Sequence, residues 1–320
     1  MSRCGLKATD GEGGMYELVE LLFEDIRNHC DFDHAEFIDK GFSSAQKYIL
    51  YKSGEAAYLL RVYDGASYSR RVEEQKYLQQ HYDNGVMCQK PVHEGYVPEL
   101  GLCFLVLNYM DGESGEEVLP KLTVEQQVEQ GYAAGHELRK IHEITPETPF
   151  NWAEKRYTKY MNKKNKVAEL GVCFDKQKEI EMFIEAHFDL LKESRVSFQH
   201  DDFHPSNLIF KDNRLIGVID FSRFDWGDPW EEFFKLSKYT CEISNHFAWG
   251  QLMGYFNERI PDHFWLKYHL FVALNQHATL IGGFQNHRFK DTLLKISQTI
   301  DSHDFAGCGP PKWFLESSSR

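Results

Sequence analysis

The stretch Gln199–Trp230, QHDDFHPSNLIFKDNRLIGVIDFSRFDWGDPW, decides how this chain is read. Asp202 and Asn207 lie five residues apart in a polar turn between strand-like pieces, and Asp220 ends the apolar run GVID thirteen residues further on. Polar oxygens on loops held by short strands can be brought to one point. Two carboxylates and one carboxamide are hard oxygen donors of the kind magnesium prefers. Phosphoryl transfer asks the protein for little else: ligands for the metal that bridges the phosphates, and a carboxylate to orient the attacking hydroxyl. The competing reading is a polar loop whose acids only cap turns.

Outward from this stretch the pattern changes twice. YELVELLFEDIRN (Tyr16 to Asn28) has apolar residues at helical spacing. AQKYILYK and AAYLLRVY, separated by Ser53-Gly54-Glu55, read as an antiparallel hairpin. A charged helical segment, SRRVEEQKYLQQHY, and the strand-like GLCFLVLNYM follow, ending at Asp111-Gly112. Beyond Gly112 the chain turns helical. Thr123 opens a capping box with Gln126, and LTVEQQVEQGYAAGHELRKIHEI continues as a long helix. Lys155 to Glu193 is charged and helical, Val196 to Phe221 holds short strands, and the chain from Trp230 is helical and aromatic. The expected fold is α+β: a flexible N-terminus (1–14), a small β-rich lobe (15–110) and a larger, mainly helical lobe (111–320), with a cleft where pockets form.

HDDFHPSN followed by IDFSRFDWGDP resembles the HGDxHxxN and IDxxxxxxGDP motifs of the aminoglycoside phosphotransferase and choline kinase family, which shares its two-lobed fold with protein kinases. Both motifs occur in the right order and spacing. The resemblance implies that Asp202 is the catalytic carboxylate and that Asn207 and Asp220 are ligands of Mg²⁺. It makes Asp228 a structural aspartate bracing the loop, with His200 in support through loop hydrogen bonds. Asp201 departs from the pattern, which has glycine there.

The same resemblance gives the amino-terminal lobe the nucleotide, ATP or GTP. Gly41, Ser43 and Ser44 form a turn that approaches phosphate oxygens, although no GxGxxG or GxxxxGK[ST] occurs. Arg61, in LLRVY, occupies the strand position at which relatives contact the phosphates with lysine or arginine, and arginine suits phosphate through paired hydrogen bonds. Its acidic partner on the next helix is Glu73 or Glu74, of which Glu74 is taken. Asn108 and Met110 fall in the hinge that reads the purine edge. Asp225, Glu231 and Glu232 follow the second motif closely and are candidate ligands for ammonium groups of an aminoglycoside, a reading that would bring antibiotic resistance with it. The first turn of a helix from Pro229 accounts for Glu231 and Glu232 equally well. Choline, homoserine, ketosamine-type sugars and macrolides are the other acceptors in view.

Composition bounds the partners. Forty-nine acidic against 36 basic residues give a net charge of −13, which disfavours nucleic acid and anionic membranes and suits a cationic, hydroxyl-bearing small molecule. The seven cysteines are scattered without a CxxC pair, so a reducing cytoplasm is expected, with no membrane span. The protein is expected to be a monomer or homodimer. Two rival readings remain: a silent kinase-like binding module, and a metal-dependent phosphohydrolase on His200, Asp201 and His204, which lacks further ligands at helical spacing.

Overall fold

The computed structural model describes residues 14–38 and 45–318, with side chains from residue 21 onward. Residues 1–13 of the expected flexible N-terminus and the turn bearing Gly41, Ser43 and Ser44 lie outside these. The chain divides into two compact units: residues up to Gly112 together with Ile216–Ser222, and Glu113–Leu215 with the chain from Arg223.

The first unit contains α1 (Gly14–Arg27), β1 (His34–Ile38), β2 (Gln46–Lys52), β3 (Glu55–Asp64), α2 (Tyr68–Asp83), β4 (Pro91–Val97) and β5 (Leu102–Asn108). The strands form one antiparallel sheet in the order β1-β2-β3-β5-β4. Ser53 and Gly54, at φ +54° and +82°, make the two-residue turn between β2 and β3. Alternation then sorts the side chains. Tyr48, Leu50, Leu60, Val62, Phe104 and Val106 share a core with Leu22, Phe23 and Ile26 of α1. Arg61 lies between Leu60 and Val62, so the period of two sends it to the opposite face. The hairpin, α1, α2 and β5 were predicted. β1 was not, because as an edge strand it is largely exposed and shows no apolar alternation.

The second unit contains β6 (Glu113–Ser114), α3 (Gly115–Val118), α4 (Val124–Ile141), α5 (Trp152–Glu169), α6 (Gln177–His187), β7 (Ser197–Gln199), β8 (Leu208–Lys211), β9 (Arg214–Val218), β10 (Asp225–Gly227), α7 (Cys241–Ile243), α8 (Asn245–Phe256), α9 (Phe264–Gln285), α10 (Phe289–Asp301) and α11 (Lys312–Ser318). The last three residues of β9 belong with the first unit. The predicted capping box starts α4, with Thr123 and Gln126 exchanging side-chain and backbone hydrogen bonds. Helix α9 is apolar on most sides, and Leu270, Phe271, Leu274 and Ile281 form a core with residues of α5, α6 and α10. Among the described residues no helix is long and apolar enough to cross a membrane.

Helices α4 and α8 touch backbone to backbone. Gly131 and Gly135 face Gly250 and Gly254, and a Cβ on any of the four would collide with a main-chain carbonyl of the other helix. No rotamer change relieves a clash with backbone. Gly135→Leu is therefore expected to cost about 3 kcal/mol of stability, seen as a lower urea midpoint; an unchanged midpoint would refute the close crossing.

Candidate active site

Strand β7 delivers the chain into the loop 200–207, and β10 secures β7 by pairing Asp225 with Gln199 and Gly227 with Ser197. Asp201 adopts φ +56°, the left-handed region that glycine enters freely and aspartate tolerates. This explains how Asp201 stands where the motif has glycine. Its carboxylate accepts from the buried Lys235 Nζ at 2.9 Å, away from the role given to Asp202.

Asp202 Oδ1 lies 3.3 Å from His204 Nε2 and 3.3 Å from Arg223 Nη1. Burial raises its proton affinity, but the hydrogen bond and charge of His204, with Arg223, outweigh this and hold the carboxyl below the usual carboxylate range. The Asp202 N–H donates to Nδ1 of the buried His200 at 3.2 Å, the supporting hydrogen bond expected of that histidine. Asn207 ends a 3₁₀ turn, Pro205–Asn207, and donates its side-chain N–H to the Asp202 carbonyl at 2.9 Å. The carboxamide oxygen is then the atom left for a cation. One loop thus brings Asp202 and Asn207 together.

The loop is held by a residue that sequence reasoning put elsewhere. Glu232 is buried; its Oε2 accepts from the His200 N–H at 2.9 Å and its Oε1 from the Asp201 N–H at 2.8 Å. His142 Nε2 lies 2.9 Å from Oε2, and its Nδ1 lies 2.9 Å from the Tyr255 hydroxyl. A carboxylate only accepts, so Nε2 carries the proton and Nδ1 accepts from the tyrosine. Burial pushes the Glu232 pKa up, yet His142 and Lys235 bring it down to about 2. Asp228, expected to brace the loop, caps the following turn through Trp230 N–H at 2.8 Å and pairs with Lys267; its carbonyl accepts from Gln199 Nε2. The sequence gives no signal for Glu232 beyond its acidity, because two of its partners are main-chain N–H groups and a third, His142, lies ninety residues away.

The other two acids read as substrate ligands also have partners. Asp225 accepts from Lys155 Nζ at 2.7 Å and lies 3.8 Å from Lys159 Nζ, and Glu231 accepts from Arg156 Nε at 2.8 Å. His200, Asp201 and His204 do not form a group of metal-ligand geometry among the described residues.

In the first unit Arg61 is buried and uses both ends of its guanidinium. Nη1 donates to Glu74 Oε1 at 3.1 Å and Nη2 to Asp220 Oδ1 at 2.5 Å. This selects Glu74 over Glu73, which is exposed and 3.9 Å from Arg70. Glu74 also takes Arg71 Nη1 at 2.6 Å. Asp220 sits at φ +65° in the turn after β9 and accepts the Ser222 hydroxyl at 2.6 Å. Lys47, which sequence reasoning missed, stands opposite Arg61 in the β2–β3 register and is half-buried. Burial first, then the Arg61 charge, lowers its pKa, with Asp220 acting the other way. Of the hinge residues, Asn108 has its N–H on the Lys90 carbonyl and its carbonyl on Gln89 Nε2. No main-chain hydrogen bond is made by Met110 among the described residues, and its side chain packs against Gly217.

The sequence model of the phosphotransferase enzyme family matches residues 34–267. No match is found among curated protein sequences. Among solved structures, the chain is similar to the streptomycin and ATP ternary complex of the aminoglycoside phosphotransferase APH(2")-IIa, at 19% identity and TM-score 0.64 over 91% of this chain and 97% of that one. A putative aminoglycoside phosphotransferase from Ralstonia eutropha superposes with TM-score 0.68 at 13% identity, over 88% of this chain and 95% of that one. APH(4)-Ia bound to AMP-PNP and hygromycin B gives TM-score 0.64 at 14% identity, over 88% and 96%. These likenesses establish the α+β, protein-kinase-like fold, with its antiparallel β unit and mainly helical unit. With more than two thirds of its length matched by the family's sequence model, the chain belongs to the phosphotransferase enzyme family.

Proposed function

We propose that the protein is a magnesium-dependent small-molecule kinase that transfers the γ-phosphate of ATP or GTP to a substrate hydroxyl. The observation that carries this reading is the 200–207 loop, where an ionised Asp202 and the Asn207 carboxamide are fixed by hydrogen bonds within one turn. The donor set fits Mg²⁺: Asn207 uses its N–H internally and keeps an oxygen, and Asp220 is a carboxylate. When bound, the ion neutralises charge on the phosphates. Asp202 orients the acceptor hydroxyl; its low proton affinity suits a group that takes the proton only as the new O–P bond forms. Arg61 and Lys47 hold phosphate oxygens, assisted by Gly41, Ser43 and Ser44 on the strength of the resemblance alone. Met110, rather than Asn108, supplies the main-chain groups that read the base. The described cysteines are all free thiols, in keeping with a cytoplasmic protein.

Asp202→Ala is expected to lower turnover of the nucleotide about 10³-fold while leaving nucleotide affinity within a few-fold. Steady-state kinetics and a binding titration measure both quantities, and full turnover in the variant would sink the assignment. Lys47→Met is expected to raise the nucleotide KM about ten-fold with kcat less affected; an unchanged KM would remove Lys47 from the phosphate site. Glu232→Gln leaves the His200 and Asp201 amides sharing a weaker, neutral acceptor, so stability should drop by about 3 kcal/mol. Because the folded pKa of Glu232 lies below the unfolded value, its contribution is present above about pH 4.5 and is lost as pH falls toward about 2. Denaturation curves across that window should be steeper in pH for the native protein than for the variant, and identical slopes would contradict the pinning role.

A further inference from the structure

A cavity of about 550 Å³ lies wholly within the second unit, between the π turn Leu236–Thr240 and helices α9 and α10. Its size is that of sites for small organic ligands. One wall residue, Tyr239, connects it to the 200–207 loop: its ring lies 5.2 Å from that of His204, whose Nε2 is 3.3 Å from Asp202 Oδ1.

The chemistry of the lining decides what it takes. Lys238, Arg288 and Lys295 face Glu242 and Asp291, three cations against two acids. Glu242 is already paired with Lys295 at 2.7 Å. Lys238 donates to Thr279 at 3.1 Å. A molecule with several ammonium groups needs a surplus of acids at close range, since far-field attraction from the net charge does not replace local pairing. The acids that might have supplied it elsewhere in this unit, Asp225, Glu231 and Glu232, are neutralised by lysine, arginine, histidine and main-chain N–H groups. What the cavity offers instead is neutral hydrogen-bonding surface. Asn275 and Gln276 donate their side-chain N–H groups to the carbonyls of Phe271 and Val272 one turn back. Their carboxamide oxygens are acceptors suited to hydroxyl donors, and Lys238 is a donor suited to hydroxyl or ring oxygens.

We propose that this cavity receives the phosphate acceptor and that the acceptor is a neutral, polyhydroxylated molecule of sugar or nucleoside size, not a polyamine. The inference rests on the kinase reading above and specifies its substrate class. Carboxamide, hydroxyl and ammonium groups of the lining are partners for vicinal hydroxyls, and through Tyr239 and His204 the wall is two side chains from the Asp202 carboxylate.

The test is transfer of labelled γ-phosphate from magnesium ATP to two sets of probes: glucose, maltose and adenosine, and the polycations streptomycin and gentamicin. Transfer is expected to a neutral probe only, with its KM raised about ten-fold by Asn275→Leu, a loss the size of one or two hydrogen bonds. Nucleotide affinity of the same variant reports on its folding. Transfer to streptomycin or gentamicin with a micromolar KM overturns the proposal, as does a neutral acceptor indifferent to Asn275→Leu. Phosphorylation of neither set overturns it too, as does gentamicin binding by calorimetry with a Kd tighter than about 100 µM. Acceptor-free hydrolysis of ATP, and its loss in Asp202→Ala, is measured in parallel. Absence of both hydrolysis and transfer to any probe would sink the kinase reading itself, whereas transfer to a polycationic acceptor sinks only the substrate class.

Discussion

The loop that carries Asp202 depends on one buried carboxylate. Glu232 is removed from water, which for an isolated ion is prohibitively unfavourable, and is stabilised only because its donors are fixed around it: two consecutive main-chain amides, an imidazole N–H and a nearby ammonium. The dependence is mutual. With Asp201 in the left-handed region, the His200 and Asp201 N–H groups point the same way and find no strand partner, so a carboxylate with two oxygens satisfies both at once. The next amide, that of Asp202, goes to His200 Nδ1. Three successive N–H groups are thereby satisfied, and the direction of the Asp202 side chain follows from the backbone so fixed.

Much of this was legible in the sequence, and the part that was not has a physical reason. The hairpin, the capped helix α4 and the helical second half follow from local rules, namely period and turn chemistry, while the double motif was legible through its resemblance to a known family. Asp202 and Asn207 stand in one turn, as their separation of five suggested. Glu231 and Glu232 were unreadable, because an acid at the start of a turn looks the same whether it faces water or accepts from a loop thirty residues earlier. The four glycines of α4 and α8 were equally silent. Each merely weakens its own helix, and their purpose exists only where the two helices cross.

The net charge of −13 invited a cationic substrate, yet Asp201, Asp202 and Asp225 already have basic side chains beside them. Arg223 and His204 lie on the Asp202 carboxylate, Lys235 on Asp201, and Lys155 and Lys159 on Asp225. Summed charge governs the approach of distant ions, whereas recognition depends on what is unpaired within a few ångströms. On the proposed kinase reading, Arg223 would face the negative charge that gathers where a phosphoryl group passes.

The same reasoning bears on Arg61. A lysine at that position is a point charge and can serve one carboxylate well. The planar guanidinium serves two in different directions, Glu74 at one end and Asp220 at the other, and is desolvated in doing so. Committed to both, it has less freedom to follow a phosphate than a lysine would. Lys47 on the neighbouring strand places a flexible ammonium on the same face, directly opposite Arg61. Like charges in that arrangement repel, and the two acids on Arg61 only balance it and its neighbour Arg71. The charge left over is that of Lys47, and its repulsion with Arg61 is one that an anion placed beside both would relieve.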